Sequence, residues 1–231
     1  MRQVVLVALV LALAGCGGEH THGTATLWVT SDRGAHVLYA GKVPAGLTAM
    51  QALVRVQKVS TRYGGRYVQS IDGVSGSLSH EKDWFFFVNG VESGTGAAEV
   101  KLKPGDVEWW DYRSWRGSGM TVPVVIGAFP EPFLHGFQWA KPGATVLFDR
   151  NADAAAAKQL AVDVKGRAEL MPAGLNLGSG KSPTGNVIVI GNGTTGIRQA
   201  GNTVVLHLAR QDAARLAASP AAFRFRYQVT Q

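Results

Sequence analysis

The run Asp83-Trp84-Phe85-Phe86-Phe87-Val88-Asn89 restricts the folds open to this chain more than any other segment. Alternate side chains of a β-strand face opposite ways, so Trp84, Phe86 and Val88 would share one face and Phe85 and Phe87 the other. Both faces are apolar, and such a strand has to be covered on both sides. The segment is therefore expected inside a sheet with one layer of structure above it and another below. Asn89-Gly90 then predicts a tight reversal.

The surrounding sequence supplies the rest of a small α+β layer. Thr24–Thr30 and His36–Ala40 read as two strands joined by the turn Ser31-Asp32-Arg33-Gly34. Thr48 and Gln51 have capping-box spacing and predict a helix over 48–60 that stops before Gly64-Gly65. Ala49, Leu53, Val56 and Val59 line its apolar face. Tyr67–Ile71 reads as a strand, Lys103-Pro104-Gly105-Asp106 as a turn, and Val107–Tyr112 as the last strand of this block. One helix packed on a sheet is the expected result.

Residues 113–121 turn to glycine and serine and mark a boundary, giving domains over 24–115 and 116–231. In the second block Val122–Ala128, Thr145–Asp149, Val187–Ile190 and Thr203–Ala209 read as strands. Asp153–Val164 and Asp212–Ala218 read as helices, with Asn151 as a candidate cap for the first and Pro220 ending the second. Phe223, Phe225, Tyr227 and Val229 alternate with Arg224, Arg226 and Gln228, the pattern of a half-buried strand. The expected fold class is α+β with two small domains, the second a small α/β sandwich.

The first block resembles a known family. The helix from Thr48, Gly65-Arg66-Tyr67-Val68-Gln69-Ser70-Ile71, the Trp84-x-x-x-Val88-Asn89-Gly90 segment and Leu102-Lys103-Pro104-Gly105-Asp106-Val107-Glu108-Trp109 look like the DUF4430 domain over residues 24–115. That domain is similar to the C-terminal β-domain of transcobalamin and intrinsic factor and is grouped with the β-grasp folds. In those vitamin carriers it caps cobalamin against a large helical barrel, and this sequence has no such barrel. The resemblance implies a fold and a small-ligand or docking role, for a cobalamin-like or other transported nutrient, without catalysis.

The amino terminus carries an address. Met1-Arg2-Gln3, an apolar stretch from Val4 to Ala14 and the ending Leu13-Ala14-Gly15-Cys16 read as a secretory signal over residues 1–15 that looks like a bacterial lipobox. In such signals the chain is cut before the cysteine, whose sulfur receives a diacylglycerol and whose new amino terminus is acylated. The apolar stretch is far short of the about 20 residues of a spanning helix, so anchoring by lipid is expected. Cys16 is the one cysteine in the chain, and once acylated it leaves none for disulfides, thiolate metal sites or nucleophiles. Residues 16–23 read as a tether, and its His20 and His22 as a solvated pair. Arg2 is the one charge before Cys16, so losing the leader lowers the formal balance of +7 by one. The basic residues are scattered, which suits an anionic envelope surface and not nucleic acid.

Candidate binding residues follow from the aromatic strand. Trp110 and Tyr112 share one face of 107–112 and Trp109 the other. With Trp84, Trp115 and Arg113 they offer rings for stacking and a cation for anionic groups. The alternative is that these rings form the core between the two domains. Gly191-Asn192-Gly193-Thr194-Thr195-Gly196 matches G-x-G-x-x-G after a strand, but the mechanism needs a helix there and the sequence leaves little room for one. Gly178-Ser179-Gly180-Lys181-Ser182 lacks the spacing of a phosphate-binding loop. Glu131 and His135, in the proline-flanked segment Phe129-Pro130-Glu131-Pro132-Phe133, offer general acid–base chemistry or a rigid strap between domains. No cofactor or metal is called for. Three functions stay open: a lipid-anchored extracytoplasmic protein that binds a small ligand or docks a transporter or other envelope partner, a wall or lipid hydrolase or transferase using Glu131 and His135, and a structural interaction protein.

Overall fold

Thr24 opens a strand whose alternate residues are buried, β1 (Thr24–Ser31), and the turn at Asp32–Gly34 returns it antiparallel as β2 (His36–Pro44). These and the following elements come from a computed structural model that describes residues 23–117, 119–172 and 184–228. Helix α1 (Ala49–Val56) begins with the expected capping box. Thr48 Oγ1 accepts from the Gln51 amide at 3.1 Å, and Gln51 Oε1 accepts from the Thr48 amide at 2.9 Å. The helix is shorter than its periodicity implied. Gln57 is extended, and the Lys58 amide donates to Asp72 Oδ1 at 2.9 Å instead of continuing the helix. The β-branched Val59 and Thr61 then enter a strand, β3 (Val59–Arg62), which pairs with β4 (Tyr67–Ile71) and through it with β5 (Val74–Ser75).

The main sheet of this half adds β6 (Lys82–Val88), β7 (Val91–Glu92) and β8 (Val107–Ser114), in the order β2-β1-β8-β6-β7. β1 and β8 run parallel and the other pairs antiparallel, a β-grasp-like arrangement with α1 on one face. The aromatic strand β6 is covered on both faces as its sequence requires. Trp84 and Val88 join Leu27, Leu53 and Trp110 under α1. Phe87 joins Trp28, Trp109, Val122, Val125, Ala128 and Tyr227 in a second layer, built partly from the other half of the chain.

The second half is an α/β layer. β9 (Thr145–Phe148), β10 (Arg167–Leu170), β11 (Val187–Gly191), β12 (Gly196–Ala200) and β13 (Thr203–Ala209) form a sheet in the order β10-β9-β11-β13-β12. The first four are parallel and β12 is an antiparallel edge. α2 (Ala154–Asp163) and α3 (Arg210–Ala218) bury Ala157, Leu160, Ala213 and Leu216 against Val146, Ile188, Ile190 and Leu206. Asn151 lies in a 3-10 turn ahead of α2 and makes no side-chain cap. β10 and β12 carry too little periodicity to be seen in the sequence.

Two expected strands are not strands. Val122–Ala128 contributes one bridge, Val124 to Val91, and then a 3-10 turn over Ile126–Ala128. Residues 223–229 keep their predicted alternation through 228, with Phe223 and Tyr227 buried and Arg224, Arg226 and Gln228 exposed. Over the described residues 223–228 the backbone joins no ladder, because Phe225 and Gln228 sit at φ +66° and +46°. This segment is a strap that returns to the first half. The Tyr227 hydroxyl donates to Asp111 Oδ2 at 2.7 Å, and the Ile126 amide donates to the Tyr227 carbonyl at 3.3 Å. Phe225 packs edge-on against Trp28 with ring centroids 4.9 Å apart. The strap passes so close to the β1–β2 turn that a Cβ on Gly34 would lie 1.8 Å from the Phe225 carbonyl oxygen. The signal over 1–15, Cys16, His20, His22 and the Gly178–Ser182 run fall outside the described residues. Among the described residues no helix is long and apolar enough to cross a membrane.

Candidate functional site

The segment 127–135 and the residues leading into the strap, Ser219–Ala221 and Arg224, leave a cleft of about 760 Å³ against the β1–β2 side of the first sheet, between the two halves. Such a volume is in the range of small-molecule sites. One wall is β1 and β2, through Thr26, Trp28, Ala40 and Lys42. The other is Gly127–Glu131, Leu134 and His135, with Ser219–Ala221 and Arg224 closing the end.

The 127–135 wall is fixed from several directions. Phe133 is fully buried, and the Phe133 and Gly136 amides donate to the Pro130 and Pro132 carbonyls at 3.1 and 2.7 Å. Asn89, from the turn after β6, donates through Nδ2 to the Gly136 carbonyl at 2.9 Å and to Asp106 Oδ1 at 2.8 Å, and its Oδ1 accepts from the Val107 amide at 2.8 Å. The reversal residue foreseen from sequence is thus also the pin that holds the wall to the first domain.

Glu131 and His135 come together on this wall. The Glu131 carboxylate is buried and accepts from the His135 amide at 2.9 Å, while Oε1 lies 2.5 Å from His135 Nδ1. Burial pushes the Glu131 carboxyl above its usual range, against the opposing pull of these two bonds. The imidazole lies over the turn at Gly105, where a Cβ would come within 2.9 Å of Cε1, and Gly105 is at φ +90°. A glycine is needed there both for the turn and for the ring. With Nδ1 held by Glu131, Nε2 is the ring atom left for a ligand. Two cations also border the cleft. Lys42 Nζ donates to Thr26 Oγ1 at 2.8 Å, and the Arg224 guanidinium lies 5.7 Å from the centre of the Trp28 ring.

The aromatic residues singled out from sequence lie elsewhere. Trp109 is fully buried in the layer between the halves, and its Nε1 donates to Thr30 Oγ1 at 2.8 Å. Trp110 and Trp84 are buried under α1, Trp110 stacked on Phe86 at 4.7 Å and Trp84 against Tyr112 at 5.2 Å. Tyr112 is half-buried and donates to the Ser75 carbonyl at 3.0 Å. Trp115 meets Phe85 edge-on at 6.5 Å. Arg113 is fully buried over the Phe85 ring at 3.7 Å and donates to the Met120 carbonyl at 2.6 Å, its burial pulling its pKa down. None of these six lines the cleft. Trp28, Lys42, Gly105 and Arg224 were missed because the cleft gathers five segments that no local spacing connects.

The G-x-G-x-x-G run leads from β11 into β12 and not into a helix. Its Thr195 side chain already bonds the start of α3: Oγ1 accepts from the Ala209 amide at 3.0 Å and donates to Asp212 Oδ2 at 2.6 Å. The crevice where strand order reverses, between β9 and β11, is filled by Arg210. Its guanidinium bonds Asp149 Oδ1 at 2.8 Å, Asn192 Oδ1 at 3.2 Å and the Asp153 carboxylate. Among the described residues no group of three or more His, Cys, Asp or Glu side chains is placed to hold a metal ion.

Residues 46–114 match DUF4430, a domain of unknown function. The matched stretch runs from the turn before α1 to the end of β8. Two solved structures are similar in part. One is a candidate metal-binding protein from Ruminococcus gnavus ATCC 29149, at 12% identity and a TM-score of 0.33, covering 40% of this chain and 97% of that one. The other is haptocorrin in complex with Cbi, at 15% identity and a TM-score of 0.33, covering 39% of this chain and 24% of that one. A search of curated proteins finds no match.

Proposed function

We propose that this protein is held by an acylated Cys16 on the outer face of a bacterial membrane and binds a small ligand, without turnover, in the cleft between its two halves. The carrying observation is the cleft itself: about 760 Å³, bounded by apolar side chains, with His135, Lys42 and Arg224 at hand to fix a polar group. The DUF4430 match over 46–114 agrees with a binding role for the first half. A transporter or other envelope protein is the natural recipient of such a ligand. Native mass spectrometry of protein purified from cells tests the reading. The wild type should retain a bound molecule of defined mass that is missing from Ala40→Trp, in which an indole on the exposed β2 wall fills the cleft. Bare protein in both would overturn it. Cys16→Ser should move the protein from membranes to the soluble fraction, and an unmodified Cys16 in the wild type would remove the anchor.

A second reading, hydrolysis or group transfer on a wall or lipid substrate, draws on the 2.5 Å contact of His135 Nδ1 with Glu131 Oε1. It requires Nε2 to take a proton from water or a substrate hydroxyl. No serine, threonine or cysteine side chain is hydrogen-bonded to His135 among the described residues, so binding is the reading we favour. Ester hydrolysis lost in His135→Gln would reverse that preference.

A further inference from the structure

The position of the cleft along the chain says what kind of molecule reaches it. β1 begins at Thr24, and Thr26, two residues on, already lines the cleft. The same end of the sheet is closed by the Gly105 amide donating to the Thr24 carbonyl at 2.9 Å and the Ala45 amide donating to the Gly23 carbonyl at 3.0 Å. Gly105 lines the cleft as well. The cleft therefore lies at the root of the tether. From Cys16 to Gly23 the chain can extend no more than about 25 Å. With Cys16 acylated, the cleft is confined to the first layer of space above the bilayer.

Its lining has two characters. Trp28, Val107, Ala128, Phe129, Pro130 and Leu134 supply apolar surface. Lys42, Arg224 and His135 supply cationic or proton-donating groups, and the one carboxylate among the lining residues, Glu131, is turned to His135 through both oxygens. An apolar surface edged by two permanent cations, a membrane's breadth or less from lipid, matches a single chemistry. We infer that the cleft takes an anionic amphiphile from the bilayer, a hydrocarbon chain ending in one carboxylate or phosphate, with the chain against Trp28, Phe129 and Leu134 and the head toward Lys42 and Arg224. This rests on the ligand-binding reading above and narrows it: a soluble nutrient has no need of a site at the tether root.

The test uses the chain from Gly17 onward, which keeps every described residue, and the fluorescent fatty acid 11-(dansylamino)undecanoic acid. Its emission should rise on binding and fall again on addition of oleate or oleoyl lysophosphatidic acid; whichever displaces better identifies the head as carboxylate or phosphate. Oleyl alcohol, with the same chain and no charge, should need at least about tenfold more, the scale of one charge-assisted hydrogen bond. In the double variant Lys42→Ala/Arg224→Ala the acid and the alcohol should become equal competitors. Ala40→Trp and, from the opposite wall, Ala221→Trp should each abolish the emission change while circular dichroism confirms that they fold. Equal displacement by oleate and oleyl alcohol in the wild type would overturn the proposal, as would dye binding indifferent to both tryptophan substitutions. The two readings fail separately. A bound mass that Ala40→Trp removes but that contains no acyl chain leaves a binding cleft and sinks the amphiphile; no bound mass and no dye binding sinks both.

Discussion

Replacing Glu108 with glutamine should make this protein more stable at alkaline pH and less stable in acid. Glu108 lies on β8 under α1, with no exposed surface. Its Oε1 accepts from Trp110 Nε1 at 2.6 Å, and its Oε2 is buried with no hydrogen-bond partner among the described residues. Loss of hydration outweighs that one bond and pushes the carboxyl from its ordinary 4.5 up to about 8. Between those two values the unfolded chain has released the proton and the folded chain still holds it. Stability therefore falls as pH rises, by about 1.4 kcal/mol per pH unit and by roughly 5 kcal/mol in all. Below pH 4.5 both states are protonated and nothing is lost. Glutamine keeps the acceptor for Trp110 but brings a second buried N–H, at a cost of about 1–2 kcal/mol at every pH. The two stability curves should then cross between about pH 5 and 6.5. Urea unfolding followed by circular dichroism from pH 4.5 to 8.5 gives the curves. Glu92 and Glu131 are also raised by burial and add to the slope of both proteins, so the difference between them isolates residue 108. Parallel curves for wild type and Glu108→Gln would refute the reasoning.

The strap can be tested from both of its sides. Tyr227→Phe removes the hydroxyl from Asp111, which keeps its bonds from Thr30, Arg33 and Gly34, and should cost about 1–2 kcal/mol in urea unfolding. Gly34→Ala places a methyl 1.8 Å from the Phe225 carbonyl oxygen at a residue with φ +81° and should cost about 2 kcal/mol or more. Because it dislodges the strap, it should also speed tryptic cutting after Arg224 and Arg226. Cutting at the wild-type rate would mean that the strap is not held by this passage.

Local chemistry made most of the first half legible in the sequence. A capping box identifies a helix start whatever surrounds it, and the Thr48–Gln51 pair does so here. The double-faced apolar strand at 82–88 demanded cover on both sides and has it. What the sequence could not separate was alternation from strand pairing. Residues 223–228 turn their aromatic rings inward in alternation without pairing, Phe223 into the core of the second half and Phe225 and Tyr227 into the layer between the halves, so a strap can show the period of a strand. The tryptophans show the same limit. Trp109 and Trp110 were placed correctly on opposite faces of β8, but whether a face is open depends on what packs over it from elsewhere in the chain: α1 over Trp110, and Val122, Val125 and the distant Tyr227 over Trp109. Cys16 and its leader lie outside the described residues, so the address rests on sequence alone.

The sharing of one aromatic layer by both halves bears on how such a protein can evolve. Trp28, Phe87 and Trp109 belong to the β-grasp-like half, yet Val122, Val125, Ala128 and Tyr227 are what cover them. A gene fusion that borrowed only the stretch up to Ser114 would inherit a bare wall of large rings and, with it, a tendency to aggregate. Recombination should therefore move the two halves together, or only into a host whose own surface can cover those rings.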